Sequence, residues 1–531
     1  MDIMRNQLAL ALIFPISSLL GIGLILVATT TIPVKAQSEI PKDRPRVVLV
    51  KPVILSNDDG SAPAAYALPQ TLVDRVYTKG GLEFLYLEPT LWNFGKARRG
   101  EINLDRIVEE GRKQDVICSD ERVVTLLFVS AVDGQQGPLG RGMQNGNICF
   151  VTLGAEGKET NSDLQAFVVA HEIGHCLNLR HAVDDPAVPN DKANLQGEGP
   201  FAERLAVSGL HASQRETVLR SPLVLDRLRF HSIEEGSQLI SDESWEPYIS
   251  GASDDMLRFS IGMKAHESLP KPSRARTDFA KQKYSNKILK FSSDEEDLLT
   301  GLVAQLNELT SAQWPSVSRL PWQFIKVDPS FCAGMAHTRG LAIILSQFHL
   351  KRFQEDNMYG LKLLLHEKLH VIQRLNPTSF AKLYINYGFE RITLAKGELN
   401  RFNLAQNPDG LQLNWAPRFG ASPSIDLTLL TPSDKGDFTF KNELRHLSKR
   451  SDGTYTIGAI QKKGEQVQDW MDGFPIRTGH DHPNEISAYL ASTLLEQGSL
   501  NTDLASFNAA QRTRLEETRQ DFKRILRIVR D

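Results

Sequence analysis

The chain has 531 residues, 41% hydrophobic and 24% charged, a soluble globular composition too long for one ordinary core. Its formal net charge of -3 excludes a broad nucleic-acid-binding surface, which needs concentrated Lys and Arg, so no nucleic-acid partner is expected. Cys118, Cys149, Cys176 and Cys332 are too few for a disulfide scaffold; one pair among the first three suits an exported protein, with a connectivity that sequence does not define.

In chain order, residues 1–36 read as an export signal. Arg5 precedes an apolar run over 8–27, and Val34-Lys35-Ala36 offers small residues before a cut at Gln37. The mature protein is then secreted or held in the cell envelope, without a stable membrane partner. An uncleaved anchor is the rival reading, since about 20 apolar residues suffice to span a bilayer. Strands are predicted at 46–55, 82–87, 123–131 and 147–153, and helices at 71–77 and 104–113. A further helix starts near Ser162, with Gln165 as a capping-box partner and Leu164, Phe167, Val168 and Ile173 at helical spacing. Over 231–285 the apolar pattern weakens and Pro270 and Pro272 appear, which predicts a linker. A second domain is expected over 286–531, with helices at 294–309, 361–375 and 510–529 and a strand at 341–345. The alternation of strand and helix predicts an α/β or α+β arrangement.

The helix begun near Ser162 carries His171-Glu172-Ile173-Gly174-His175. His171 and His175, one helical turn apart, project toward a single ion, and Glu172 lies close enough to act as a general base on water. The helix must then stop for a third ligand to turn back. Asn178 stands where a left-handed residue is needed, and His181 completes a three-His set. Cys176 falls off the ligand face and reads as a core or disulfide residue.

The string HEIGHCLNLRH resembles the metzincin zinc peptidases, whose signature is HExxHxxGxxH, and the likeness covers 44–230. It implies a twisted sheet with an active-site helix, an edge strand that aligns extended peptide, Zn2+ on His171, His175 and His181, and Glu172 as catalytic base. Two residues depart from the pattern. Asn178 replaces Gly, and Gln196, in Asn194-Leu195-Gln196-Gly197, stands where that family has Met; a closing helix is expected over 210–218.

A second short motif, His366-Glu367-Lys368-Leu369-His370, lies in another apolar helix, and Asn376-Pro377 ends that helix before a third His. A carboxylate must complete this set, as in His2Glu sites. Two residues compete: Glu390, whose spacing from His370 is similar to that of short-spacer gluzincins, and Glu485, which Pro483 puts in the first turn of a helix and whose string Asn484-Glu485-Ile486-Ser487-Ala488 resembles the gluzincin ligand helix. Glu485 is preferred. His480 and His482 read first as exposed loop histidines, with oxyanion or substrate contacts as the alternative, and His337-Thr338-Arg339-Gly340 reads equally as an edge strand or as an ordinary loop leading into the strand at 341–345. The region resembles a gluzincin domain, which implies His366 and His370 as ligands and Glu367 as base. The two resemblances together imply an α+β chain: a metzincin-like sheet domain followed by a mostly helical gluzincin-like domain. They imply an exported zinc metalloendopeptidase acting on protein or peptide substrates. The alternative is a zinc-stabilised binding protein with degenerate sites; hydrolysis of a non-protein amide ranks below both.

Overall fold

The computed structural model describes residues 46–527, except 115, 118–121, 133–134, 136–137, 154–161, 198–208, 244–245, 272, 411, 420–421 and 501–506. The expected export signal and Cys118 lie outside the described residues. The fold is α+β, built around three sheets.

The first sheet contains β1 (Arg46–Ser56), β2 (Leu82–Tyr86), β3 (Thr90–Asn93), β4 (Val123–Phe128), β5 (Pro138–Gly142), β6 (Ile148–Leu153) and β7 (Val224–Leu225). Its order is β2-β1-β4-β6-β5, with β3 and β7 also pairing β1. β1, β2, β4 and β6 run parallel, and β5 closes the edge antiparallel to β6. Strand alternation splits β1 between two cores: Val48 and Val50 pack with Tyr77, Phe167 and Ile173, whereas Val47 and Leu49 pack with Phe324 and Leu369. Both faces of the sheet are therefore covered, which is why β4 and β6 at its centre are buried along their whole length.

The second sheet contains β8 (Leu228–Phe230), β9 (Ile288–Leu289), β10 (Trp322–Val327), β11 (His337–Arg339) and β12 (Ala342–Ser346), in the order β11-β12-β10-β8, with β9 beside β10. β8, β10 and β12 run parallel, and β11 forms an antiparallel edge. This repeats the plan of β1, β4, β6 and β5. In each sheet the antiparallel edge strand immediately precedes the last parallel strand, and the helix bearing HExxH comes after it. The first motif helix is Ser162–Cys176 and the second is Asn357–Leu375. A third, antiparallel sheet joins β13 (Phe389–Arg391), β14 (Trp415–Phe419), β15 (Ser422–Pro432), β16 (Phe438–Lys449) and β17 (Tyr455–Ile460).

Two sequence expectations need correction. Residues 231–285 are not a linker: they form the helices Ile233–Ile240, Asp254–Ile261 and Ser273–Ser285. Ser232 with Glu235 caps the first, Ser253 caps the second, and Gly262 (φ +73°) ends it in the left-handed region. Their buried Ile240, Leu257 and Tyr284 pack against Ile325, Val327 and Ile344 of the second sheet. β8, at 228–230, likewise belongs to the second sheet, through its pairing with β10. The C-terminal region is also less purely helical than expected, since it holds most of the second sheet and all of the third.

The two halves share one core and a partly buried ion cluster, in which Glu83 on β2 pairs with Arg227 and Arg319. Burial raises the Glu83 pKa, but the two guanidinium groups outweigh it and hold the carboxyl below its usual 4.5. A depressed carboxylate pKa gives stability that is complete above the unfolded-state value and lost as pH falls through the folded one. Glu83→Gln is therefore expected to destabilise by roughly 1–2 kcal/mol, discounted for partial exposure, in denaturant titrations at neutral pH. The difference should shrink below about pH 4; a pH-independent difference would show that charge is not the cause.

Candidate metal centres

Three histidines meet at the end of the first motif helix. His171 and His175 project from the helix, and Asn178 (φ +73°) reverses the chain to bring His181 back. The reversal is locked by Leu179 N–H donating to Gly174 O at 2.9 Å. His171 Nδ1 donates to Leu195 O at 3.0 Å and His175 Nδ1 to Leu179 O at 2.8 Å. With the proton on Nδ1, each Nε2 keeps its lone pair for a metal. The His171 and His181 Nε2 atoms face each other at 3.3 Å, and one nitrogen from each of the three residues lies within 4.8 Å of the others. Three converging imidazole nitrogens, two of them with the proton held outward on Nδ1, fit a cation between them. All three predicted residues are brought together, and His181 is the exposed member.

Glu172 is buried beside this cluster, where burial raises its pKa to about 7, opposed by a hydrogen bond from the Gly142 main chain. That bond comes from β5. A Cβ at Gly140 would overlap the Glu172 side chain; one at Gly142 would overlap the Glu172 carbonyl oxygen and lie 2.7 Å from His175 Cβ. Only glycine lets the edge strand run this close to the helix. Sequence reasoning missed both residues, although the Gly-x-Gly spacing within Pro138–Gly142 was their signal. Tyr77, from the helix Gln70–Thr78, adds a further anchor by donating to Ala170 O at 2.6 Å.

Asn194 to Gly197 forms a turn, with Gly197 N–H donating to Asn194 O at 3.0 Å. The helix Ala212–Leu219 holds it through Gln214 Nε2, which donates to Asn194 Oδ1 at 3.0 Å. Gln196 is buried under the motif helix and donates from Nε2 to His171 O at 2.9 Å, while its Oε1 finds no partner among the described residues. A buried unpaired amide oxygen costs about 1–3 kcal/mol, more than the single hydrogen bond returns. Gln196→Met is expected to raise unfolding stability by about 1 kcal/mol with metal content unchanged. A loss of stability would show that the Gln196 donor matters more than its orphan oxygen.

The second centre is assembled from distant segments. His366 and His370 come from the second motif helix, and Glu485 from the first turn of the helix Pro483–Leu500. The two Nε2 atoms are 3.1 Å apart, and Glu485 reaches them at 3.2 and 3.5 Å. Gln373 Oε1 accepts from His370 Nδ1 at 2.8 Å, fixing the tautomer that presents Nε2. Against the upward push of burial, His370, His366 and Asn407 hold the Glu485 carboxyl below its ordinary range. The structure thus separates the two candidate carboxylates. Glu390 lies on β13, paired with Arg418 at 3.1 Å and accepting from Tyr455 OH at 3.0 Å.

Glu367 is buried beside this second set, and burial with nearby Asp409 and Glu485 pushes its carboxyl well above the usual range. Its Oε2 has no partner among the described residues. Neither loop histidine is exposed. His482 is buried, with Nδ1 accepting from Asn484 N–H at 3.2 Å, and half-buried His480 packs against Trp470 and Phe474. The stretch His337–Arg339 is indeed an edge strand, β11, but it is buried. Cys149 and Cys176 are buried free thiols on the strand and helix of the first centre.

No protein-family model and no curated protein matches this chain. The functional reading therefore rests on the sites themselves.

Proposed function

We propose that the chain is an exported zinc metalloendopeptidase of metzincin type in its first unit, followed by a gluzincin-like unit with its own zinc centre. One observation carries the reading: three histidines converge beside a buried Glu172, with an antiparallel edge strand alongside. Oxygen-rich calcium or magnesium sites do not suit an all-imidazole set, whereas zinc does. Zinc, when bound, supplies Lewis-acid polarisation of a carbonyl and acidifies water. His171, His175 and His181 hold it in the first unit; His366, His370 and Glu485 hold it in the second.

The protein's own residues do the rest. β5 ends its sheet, so its outer main-chain groups offer pairing to an extended peptide, the substrate form that sheet edges recognise. Glu172, fixed by the edge strand, takes a proton from the attacking water and delivers it to the departing amine. The carbonyls of Leu195 and Leu179 keep His171 and His175 in the ligating tautomer throughout. No helix among the described residues is long and apolar enough to cross a membrane. The run at 8–27 supports export.

The test is hydrolysis of casein or a quenched peptide by the mature protein, with and without a chelator. Chelator-sensitive turnover supports the reading, and activity that survives Glu172→Gln combined with Glu367→Gln contradicts it. A second reading, a zinc-stabilised binding protein, draws on the deep burial of the second centre and the Gln196 substitution. It predicts bound zinc without turnover.

A further inference from the structure

The second centre is far less open than the first. His370 is 1% exposed and His366 9%, whereas His181 is exposed to solvent. Part of the closure comes from the chain itself, in a turn at Asn407-Pro408-Asp409-Gly410 that is remote in sequence from the motif. Asp409 N–H donates to Asn407 Oδ1 at 2.9 Å and Gly410 N–H to Asn407 O at 3.1 Å, which makes the turn self-supporting. On its N-terminal side Ala405 N–H donates to Thr428 O at 2.8 Å, tying the segment to β15.

The turn grips the second centre at successive points. Asn407 Nδ2 donates to Glu485 Oε1 at 2.7 Å, directly on the carboxylate that joins His366 and His370. Asn484, beside Glu485, donates to Asp409 O at 3.1 Å. Arg374, from the end of the motif helix, donates to Pro408 O at 3.0 Å. Gly410 lies against the His482 ring, leaving a Cβ only 3.2 Å from it. The remaining contact has the clearest meaning. Asp409 Oδ1 accepts from Thr338 N–H at 2.8 Å and also from the Thr338 hydroxyl. Thr338 belongs to β11, the strand that occupies in the second sheet the place of β5 in the first. A main-chain donor on that edge is what an extended peptide would pair with, and a carboxylate of the same chain already fills it.

We propose that the Asn407–Gly410 turn is a built-in strap, bound on the peptide edge of the second centre and clamped to its carboxylate, that keeps this centre closed to substrate. The inference rests on reading His366, His370 and Glu485 as a zinc centre. Peptide hydrolysis by the protein as folded then belongs to the first unit, and the second becomes competent when the strap is loosened.

The experiment uses the full mature chain carrying Glu172→Gln, so that first-unit catalysis is removed. Zinc per chain is counted first, then its release to a chromogenic chelator is followed, together with peptide hydrolysis. Asn407→Ala removes the clamp on Glu485. Asp409→Ala removes the acceptor on β11 but also a negative neighbour of Arg374, at 3.6 Å, so Asn407→Ala is the variant that preserves local charge balance. Thermal unfolding checks that each variant folds. Loss of one such hydrogen bond is expected to speed release from the second centre about fivefold. Hydrolysis that a further Glu367→Gln abolishes is expected to appear at the same time. Unchanged release in a folded strap variant, or faster release without hydrolysis, overturns the proposal. A parent that holds a single zinc, still lost with His171→Ala, overturns the reading of the second centre itself.

Discussion

Glu172→Gln is expected to lower peptide hydrolysis by about 10²–10⁴-fold, the usual worth of a general base, with zinc per chain unchanged. Gln has nearly the size of Glu and still accepts the Gly142 main-chain bond, so the helix and its three histidines keep their places. What it lacks is the basic oxygen lone pair that carries the proton from water to amine. A fall in zinc content would show that Glu172 acts through the ligands' positions. Unchanged turnover would remove the first unit from the chemistry altogether. Steady-state kinetics with elemental analysis on the same preparation separates these outcomes.

Gly142→Ala is expected to damage both stability and activity although it adds one methyl group. The new Cβ would meet the Glu172 carbonyl oxygen, a backbone atom inside the motif helix, and His175 Cβ at 2.7 Å. Neither can swing aside as a flexible side chain would, so β5 or the helix must move. Overpacking of this kind costs roughly 1–3 kcal/mol. On the proposed reading, in which β5 also aligns the peptide, a displacement of the strand that holds Glu172 is expected to lower kcat/KM about 10²-fold. Full activity in Gly142→Ala would mean that β5 does not define the substrate track. Gly301, whose Cβ would meet nothing within 4 Å, is the matched control: Gly301→Ala should leave activity unchanged.

What was legible in the sequence was mostly local. The His171–His175 spacing, the left-handed Asn178 and the return of His181 follow from helix periodicity and one stop signal, and all appear as expected. The preference for Glu485 over Glu390 came from Pro483 opening a helix and from the gluzincin-like string around it, and Glu485 does lie beside His366 and His370. Other features depend on pairing across the chain. β8 reads as the tail of the first unit yet pairs with β10, more than ninety residues later, because strand partners are chosen by burial and register. Two of the three helices at 231–285 have only eight residues, too few turns for a helical period to stand out, and Pro270 and Pro272 interrupt the run before the third. The repeated sheet plan was not legible at all: the two units share little beyond HExxH. Nor did anything near Asn407 or Asp409 mark them as neighbours of Glu485 and Thr338, since that contact exists only in the folded chain.

The most direct test of the central claim is zinc per chain, by elemental analysis, for the mature protein and for His171→Ala combined with His175→Ala. Two zincs falling to one is the predicted result, with chelator-sensitive hydrolysis lost alongside the first. A mature protein without zinc, or a count that the double substitution leaves unchanged, would contradict the account.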